Sequence, residues 1–538
     1  MSYELLLSLY FGEGSNADLT TPQARRVLHV STPLEARLSS AINGGLDVVV
    51  TGNPGDGKSH VARTLAERGL IGDAALLLDL SARSTTEALN QWAALKGQRR
   101  FLMCANEGPL RELVSEASFD GRLSSIAREL EGQLGHLTVA DANRLPNEPK
   151  SVMLVDLADR NVLDITVVGD AVARICREEF LPELRDRSID SSAGRNMLLL
   201  QNADARLRLA RILIVAGQRR GEHVTFRQLW AAIALAVTGG KGLSALQAEL
   251  SATDSSLGLT PLDHLTHKRA RGLLAEAVRL YADVAGVSSP DVDDALWHTA
   301  TLPSGDWYVE RPHVDDTPQR LWDQGATQAA LHTFRCLKRA VALGHTDGER
   351  LVNALEQQTA SPSAVTASEL RQRVVLGLRR LYVSAAEEPT APEWVTRGVP
   401  LWVNYSFQDR PTSERPHVAV SAVPVAELEA RHPCRAPWLD AALGPKPDLA
   451  WLHHIPSGEQ LVITPEVLST LDRAAVTAGP MEVPASVERF LARVAGWAER
   501  EFVDDSLGED DVAILERPRG GLLACPRVRV RSGGASYA

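Results

Sequence analysis

The sequence predicts an α/β protein: a parallel-sheet domain with a helical lid, then a mainly helical region, then an α+β carboxyl-terminal domain. Three observations predict it. Short apolar, β-rich runs alternate with helical segments between Leu46 and Leu157. From about Asp170 the helical period takes over. Past a Pro-rich, polar break at Glu388-Pro389-Thr390-Ala391-Pro392, period-two alternation appears. The expected domains are therefore 1–165, 166–260, 261–390 and 391–538.

In chain order, residues 1–20 read as a loose or helical lead-in. Thr32-Pro33-Leu34-Glu35 starts a helix, with Thr at the cap and Pro in the first turn, and Asn43-Gly44-Gly45 ends it. Leu46 to Thr51 is a strand, followed by a glycine-rich loop and a helix from Lys58 to about Arg68. Further strands are expected at Ala75–Leu80, Arg100–Ala105 and Val152–Leu157, with helices at Thr85–Lys96, Pro109–Val114 and Arg122–Leu134 between them. Such alternation implies a parallel sheet. Ala205–Ala216 is amphipathic, and Thr225 caps a helix over Phe226–Val237 that Gly239-Gly240 stops. Helical regions follow at Asp263–Ala285, Thr327–Leu343 and Ala367–Ala385. In the last domain, strands are expected at Leu401–Phe407, His417–Val423, Asp448–Ile455 and Gln460–Thr464, and helices at Pro465–Thr477 and Ala485–Phe502. Asp511–Glu516, Arg519-Gly520-Gly521 and Leu522–Val530 read as a terminal hairpin.

A chain of 538 residues exceeds one ordinary core, consistent with several domains. The formal net charge of −11 argues against a protein that coats nucleic acid with its whole surface, while 57 Lys and Arg leave room for a local basic groove. The five cysteines are scattered without a C-x-x-C pair, so buried free thiols are expected rather than a disulfide framework or a zinc site. The amino terminus has no basic n-region, and no apolar run reaches the ~20 residues of a membrane span. The expectation is a soluble, cytoplasmic protein without membrane association.

Gly52-Asn53-Pro54-Gly55-Asp56-Gly57-Lys58-Ser59 matches the G-x-x-x-x-G-K-[ST] phosphate loop. The glycines permit backbone conformations and close approaches that a Cβ would block. The loop N–H groups and the following helix N-terminus then surround phosphate oxygens. Lys58 would reach the β- and γ-phosphates, and the Ser59 hydroxyl would ligate Mg²⁺. A chain this long would match the pattern by chance on the order of one time in fifty, and the required strand (Val48-Val49-Val50) and helix flank it here. The expected nucleotide-binding set is Gly52, Asn53, Pro54, Gly55, Asp56, Gly57, Lys58, Ser59 and His60, with ATP and Mg²⁺ as cofactors.

Hydrolysis also needs a metal-associated carboxylate and a group that orients water. Three strand ends offer them: Asp79 first, then Glu107, then Asp156. Asn106, at the carboxyl end of a strand, is expected to contact the γ-phosphate or the water. No plain Asp-Glu pair ends a strand. Arg227, two residues past the Thr225 cap, is a candidate phosphate sensor, and Arg160 or Arg219-Arg220 are candidates for a finger acting in trans. The candidate catalytic set is thus Lys58, Asp79, Asn106, Glu107 and Arg227, with Ser59 and Asp79 at the metal.

The stretch Thr51 to His60, followed by Ala105-Asn106-Glu107-Gly108-Pro109-Leu110, resembles the AAA+-like P-loop ATPases of bacterial restriction and phage-defence systems, and among them the DptF-type ATPases of phosphorothioation-dependent restriction. His223 to Leu229, Phe334 to Arg339 and Leu461 to Val483 are similar to that family as well. The resemblance implies an ATPase subunit that works with a helicase or nuclease partner, with possible DNA contact and possible homo-oligomerisation. A reading of a different class is a nucleotide-gated scaffold with slow or absent hydrolysis. His453-His454 read as ordinary strand residues, for lack of a second ligand pair.

Overall fold

The computed structural model describes residues 3–12, 21–80, 83–134, 139–145, 147–176, 191–242, 244–245, 260–309, 311–381, 383, 398–404, 417–476, 483–501, 511–513, 515–517, 527–531 and 534–537. The chain forms two compact units, Met1–Gln358 with Cys434–Pro447, and Thr359–Pro433 with Asp448–Ala538. The division falls at Gln358/Thr359, whereas the Pro-rich break expected at residues 388–392 lies outside the described residues.

The first unit opens with helices α1 (Tyr3–Tyr10), α2 (Pro22–Leu28) and α3 (Pro33–Asn43). The sheet then alternates strands β1 (Asp47–Thr51), β2 (Ala75–Leu77), β3 (Phe101–Cys104) and β4 (Val152–Asp156) with helices α4 (Lys58–Glu67), α5 (Thr85–Leu95), α6 (Glu107–Ala117) and α7 (Ser124–Gln133). Its order is β2-β3-β1-β4, and every pairing is parallel. The α/β layout with a parallel sheet is the one the alternation predicts. Val48, Val49, Val50, Leu102 and Val152 to Val155 are fully or almost fully buried, the pattern of strands covered on both faces. The outer edge of β4 meets Gln133 of α7, whose amide donates to Val152 O and accepts from Leu154 N, both at 2.9 Å. A side-chain amide thus satisfies backbone groups that an open edge would leave unpaired.

β2 ends at Leu77, so Asp79 lies beyond the strand rather than on it. α6 begins at Glu107, two residues before the expected start, with Asn106 as its N-cap. α2 is a helix the hydrophobic pattern alone does not announce; it is too short for a clear period, and Thr21 with Pro22 starts it.

A second core in this unit is all helical. α8 (Ile165–Ile175), α9 (Ser192–Gln201), α10 (Ala203–Arg220) and α11 (Phe226–Thr238) pack with α1 and with the helices between Pro261 and Gln357 around one buried cluster. Two charges hold it in register. Arg208, 1% exposed, donates to Ala342 O and to the Tyr308 hydroxyl. Arg339 bridges Asp263 and Asp283. Burial of such groups requires this partnering.

In the second unit, helices Ala367–Arg380 and Pro465–Val476 pack so closely that a Cβ on Gly377 would meet Leu471 Cβ at 2.5 Å. Its three-stranded sheets run β11-β6-β5, β7-β8-β9 and β10-β12-β13, where β5 to β13 are Gly398–Asn404, His417–Pro424, Leu428–Arg431, Ala450–His454, Gln460–Ile463, Asp511–Ala513, Leu515–Arg517, Arg527–Arg531 and Gly534–Tyr537. The expected terminal hairpin is therefore split: β10 pairs with β12, but β11 leaves to pair with β6. Its expected turn, residues 519–521, lies outside the described residues. Period-two patterning specifies strand faces but not which strand lies alongside.

Cys104, Cys176, Cys336 and Cys434 are free thiols; Cys525 lies outside the described residues. Among the described residues no helix is long and apolar enough to cross a membrane, and no group of three or more His, Cys, Asp or Glu is placed to hold a metal ion. His453 and His454 lie on β8, and the His454 ring nitrogens face Ser457 Oγ at 2.7 Å and Glu427 Oε2 at 3.2 Å.

Candidate functional site

A cavity of about 290 Å³ opens at the carboxyl ends of β1 and β3. Carboxyl ends of parallel strands are where open α/β sheets receive ligands. Residues 52–57 leave β1 and feed α4, with Gly52, Gly55 and Gly57 at φ of +137°, +100° and +89°. Gly55 has a second reason to be glycine. A Cβ there would lie 2.9 Å from Arg227 Cβ and 3.1 Å from Thr225 Oγ1.

The cationic end of the cavity belongs to the loop. Lys58 Nζ donates to Gly52 O at 2.8 Å and Asn53 O at 2.9 Å, so the ammonium lies over the loop backbone. Burial lowers its pKa, opposed by Asp56, Cys104, Asp156 and Asp79. Ser59 Oγ donates to Leu78 O at 3.1 Å, which brings the hydroxyl beside the residue preceding Asp79. Asp79, Cys104 and Asn106 complete this end. Burial raises the Cys104 thiol to about 12, so it stays protonated.

Asp56 braces the loop from beneath. Its side chain is fully buried, accepting from Asn53 N at 2.6 Å and facing His223 Nε2 at 2.7 Å. The N–H of Arg227, in the first turn of α11, donates to Gly55 O at 3.2 Å. The Arg160 guanidinium donates to Asp56 O and lies 4.6 Å from the Phe226 ring centre. Arg160 is 8% exposed, and burial lowers its pKa to about 10, with Asp56 and Glu35 acting to raise it. α11 thus begins directly against the loop, held there by Thr225 and Gln228 in a capping box.

Leu9, Leu28, Val30, Val61, Phe226 and Trp230 give the cavity an apolar part of its lining, with Arg25 and Glu35 alongside. These apolar side chains come from α1, α2, the segment joining α2 to α3, α4 and α11. Two histidines lie at the border of this part. His29 Nδ1 is 3.2 Å from His60 Nε2, with the rings stacked at 5.4 Å.

Of the candidates read from the sequence, Pro54, Gly55, Gly57, Lys58, Ser59, His60, Asp79, Asn106 and Arg227 all line this cavity. Gly52, Asn53 and Asp56 form and brace the loop behind it. Glu107 does not reach the lining; it is exposed and paired with Arg111 at 2.7 Å, one turn along α6. Asp156 is outside as well. It accepts from Ala158 N at 2.9 Å, and burial raises its pKa to about 6. Arg160, read as a finger acting in trans, also lines the cavity, but it is buried within its own chain, where it donates to Asp56 O of the loop. Arg219 donates to Leu355 O at 2.9 Å, and Arg220 pairs with Glu276 at 3.0 Å.

Sequence reasoning missed the Asp56–His223 brace, Glu35 and the apolar wall. No periodicity could pair residues 56 and 223.

No family model, no curated protein and no solved structure matches this chain. The molecule is an α/β protein whose parallel sheet carries a cavity beside a glycine loop.

Proposed function

We propose that this chain binds ATP with Mg²⁺ at the loop of residues 52–59 and hydrolyses it, as a cytoplasmic P-loop ATPase of the AAA+ type. The observation that supports this reading is the convergence of Lys58, Ser59, Asp79 and Asn106 on one cavity from three consecutive strand ends. The residues fit the cofactor: positive-φ glycines leave the loop backbone open, and Lys58 stands where phosphate oxygens would accept from it. Ser59 and Asp79 would hold the magnesium ion, which neutralises charge on the phosphates when bound. Asn106 would orient water or the terminal phosphate, and Arg227 would sense that phosphate from α11.

The resemblance to restriction and phage-defence ATPases extends the proposal to a subunit acting with a helicase or nuclease, on DNA. A second reading, a nucleotide-gated scaffold with slow turnover, has its own support: Glu107 is engaged by Arg111 rather than directed at the cavity. Binding of ATP with Mg²⁺ and phosphate release, compared between wild type and Lys58→Ala with and without DNA, separate the two. Turnover no faster than the variant's, alongside tight binding, eliminates the motor and leaves the scaffold. Absent ATP binding by wild type eliminates both.

A further inference from the structure

The cavity is supplied with cations: Lys58, Arg160 and Arg227 line it at the loop, and Arg25 lines it too. The lining from α1, from α2 and its link to α3, and from Trp230 is largely apolar, with Arg25 and Glu35 the charged exceptions, and it carries a polar atom of a different kind. His29 is 3% exposed, lines the cavity, and has an Nε2 without a hydrogen-bond partner. A buried polar atom left unsatisfied is costly, and in a ligand cavity it marks where a ligand group belongs.

Local structure fixes that atom. His29 is the extended C-cap of α2, and Thr32 opens α3 three residues later. Glu35 Oε2 accepts from the Thr32 N–H at 2.8 Å and its hydroxyl at 3.1 Å. Its other oxygen lies 3.7 Å from His29 Nε2, outside hydrogen-bond reach but close enough to favour a proton on that nitrogen. Nδ1 then accepts from His60 Nε2 across 3.2 Å. His60 directly follows Ser59, so the pair lies where the phosphate subsite gives way to the apolar wall. The His29 ring is held well below the ordinary histidine value, to about 4, by burial and then by Arg68 and Arg174. At neutral pH it is uncharged, unlike the groups that serve the phosphates.

We propose that His29 Nε2–H is a ligand-binding donor for the nucleoside half of the nucleotide, giving its hydrogen bond to a bare nitrogen or oxygen of the base or sugar, with His60 as the positioning residue that fixes its tautomer. This rests on the nucleotide-binding reading above. The nucleoside lies against Leu28, Val30 and Trp230, and the neutral donor supplies orientation where the lysine supplies charge.

Two probes distinguish this proposal from the reading beneath it: ATP, and inorganic tripolyphosphate, which lacks the nucleoside. Calorimetric titration with Mg²⁺ of the full chain, wild type, His29→Ala, His29→Gln and Lys58→Ala, gives the comparison. His29→Ala should weaken ATP about tenfold, the worth of one neutral buried hydrogen bond, while changing tripolyphosphate less than twofold. His29→Gln, which retains an N–H donor, should recover part of the loss. Lys58→Ala should weaken both probes. Unchanged ATP affinity in His29→Ala overturns the proposal, and so does an equal loss on both probes in a variant with wild-type melting. If His29→Ala melts early, His29→Gln decides: full loss of ATP discrimination there also overturns it. Wild type that binds neither probe removes the underlying reading, and the proposal with it.

Discussion

The glycine-rich loop at residues 52–59 and the start of α11 at residues 225–230 line the same cavity, yet they are organised differently. The loop is a local object. Its three positive-φ glycines, its lysine and its serine are specified by spacing within one short stretch. The α11 segment reaches the cavity only because Leu229, Ile233 and Val237 bury it in the helical core, a core that Trp230 also joins while it lines the cavity with Phe226 and Arg227. One region carries chemistry that local sequence encodes; the other carries shape that packing imposes. Their junction is narrow: Asp56 to His223, Gly55 O to the Arg227 N–H, and Arg160 between Asp56 and Phe226.

That contrast can be broken at the loop first. Lys58→Ala should cost about 100-fold in affinity for ATP, since a bond from a charged donor is worth about 1.5–3 kcal/mol. Melting should hardly move, because the ammonium bonds only to loop carbonyls. An affinity within twofold of wild type would refute the cationic role.

Gly55→Ala strikes the junction itself. It adds a Cβ at 2.9 Å from Arg227 Cβ at a φ of +100°, so a loss of about 2 kcal/mol in stability is expected, half or more from backbone strain. Denaturant unfolding measures it, and a midpoint unchanged from wild type would show that α11 yields freely. The Asp56–His223 brace is tested by a double-mutant cycle with Asp56→Asn and His223→Gln. A coupling of about 1–2 kcal/mol is expected for a contacting pair of which Asp56 is buried and His223 partly exposed. Strict additivity would mean that loop and helix are held by the backbone bond and Arg160 without the brace.

Acid should weaken the histidine border next. Both rings have folded-state values near 4 against 6.5 unfolded, so the unfolded chain binds more protons between those limits. Stability contributed by the neutral pair is therefore complete above about pH 6.5 and is lost as pH falls toward 4. For His29 the loss reaches about 2–3 kcal/mol. The slope of unfolding free energy against pH in His29→Gln should be shallower than in wild type over that window; identical slopes would contradict it.

Asp156 has the opposite sign. Its folded value is raised to about 6 from 3.8, so the folded chain keeps the proton longer, and stability is lost as pH rises through that interval. Asp156→Asn can still accept from Ala158 N–H, and it should raise the melting temperature slightly at neutral pH with ATP affinity unchanged. A large loss of Mg²⁺-dependent binding would reinstate Asp156 as the metal carboxylate in place of Asp79.

Legibility followed range along the chain. α3, α4 and α11 could be read because their start signals lie within three or four residues: Thr32 with Glu35, Gly57 before Lys58, Thr225 with Gln228. Asp79, Asn106 and Arg227 were nominated from strand ends and one helix start, and the fold brings them to one cavity. Glu107 had the same credentials. It sits on the first turn of α6, where Arg111 one turn later captures it, an i,i+4 pairing that competes with any role at the cavity. Asp156 ends a strand as Asp79 nearly does, but its carboxylate is spent on the turn that follows.

The sequence by itself determined the parallel alternation and the glycine-rich loop with the lysine and serine that follow it, because each depends on neighbours a few bonds away. Tertiary structure alone decided which carboxylate faces the cavity, that Arg160 and His223 support the loop from beneath, and that His29 meets His60 at the border of an apolar wall. Those contacts join residues 31 to 167 positions apart. They exist only once two hydrophobic cores have folded and brought β1, α2 and α11 together, since burial is set by the whole unit and not by any local pattern.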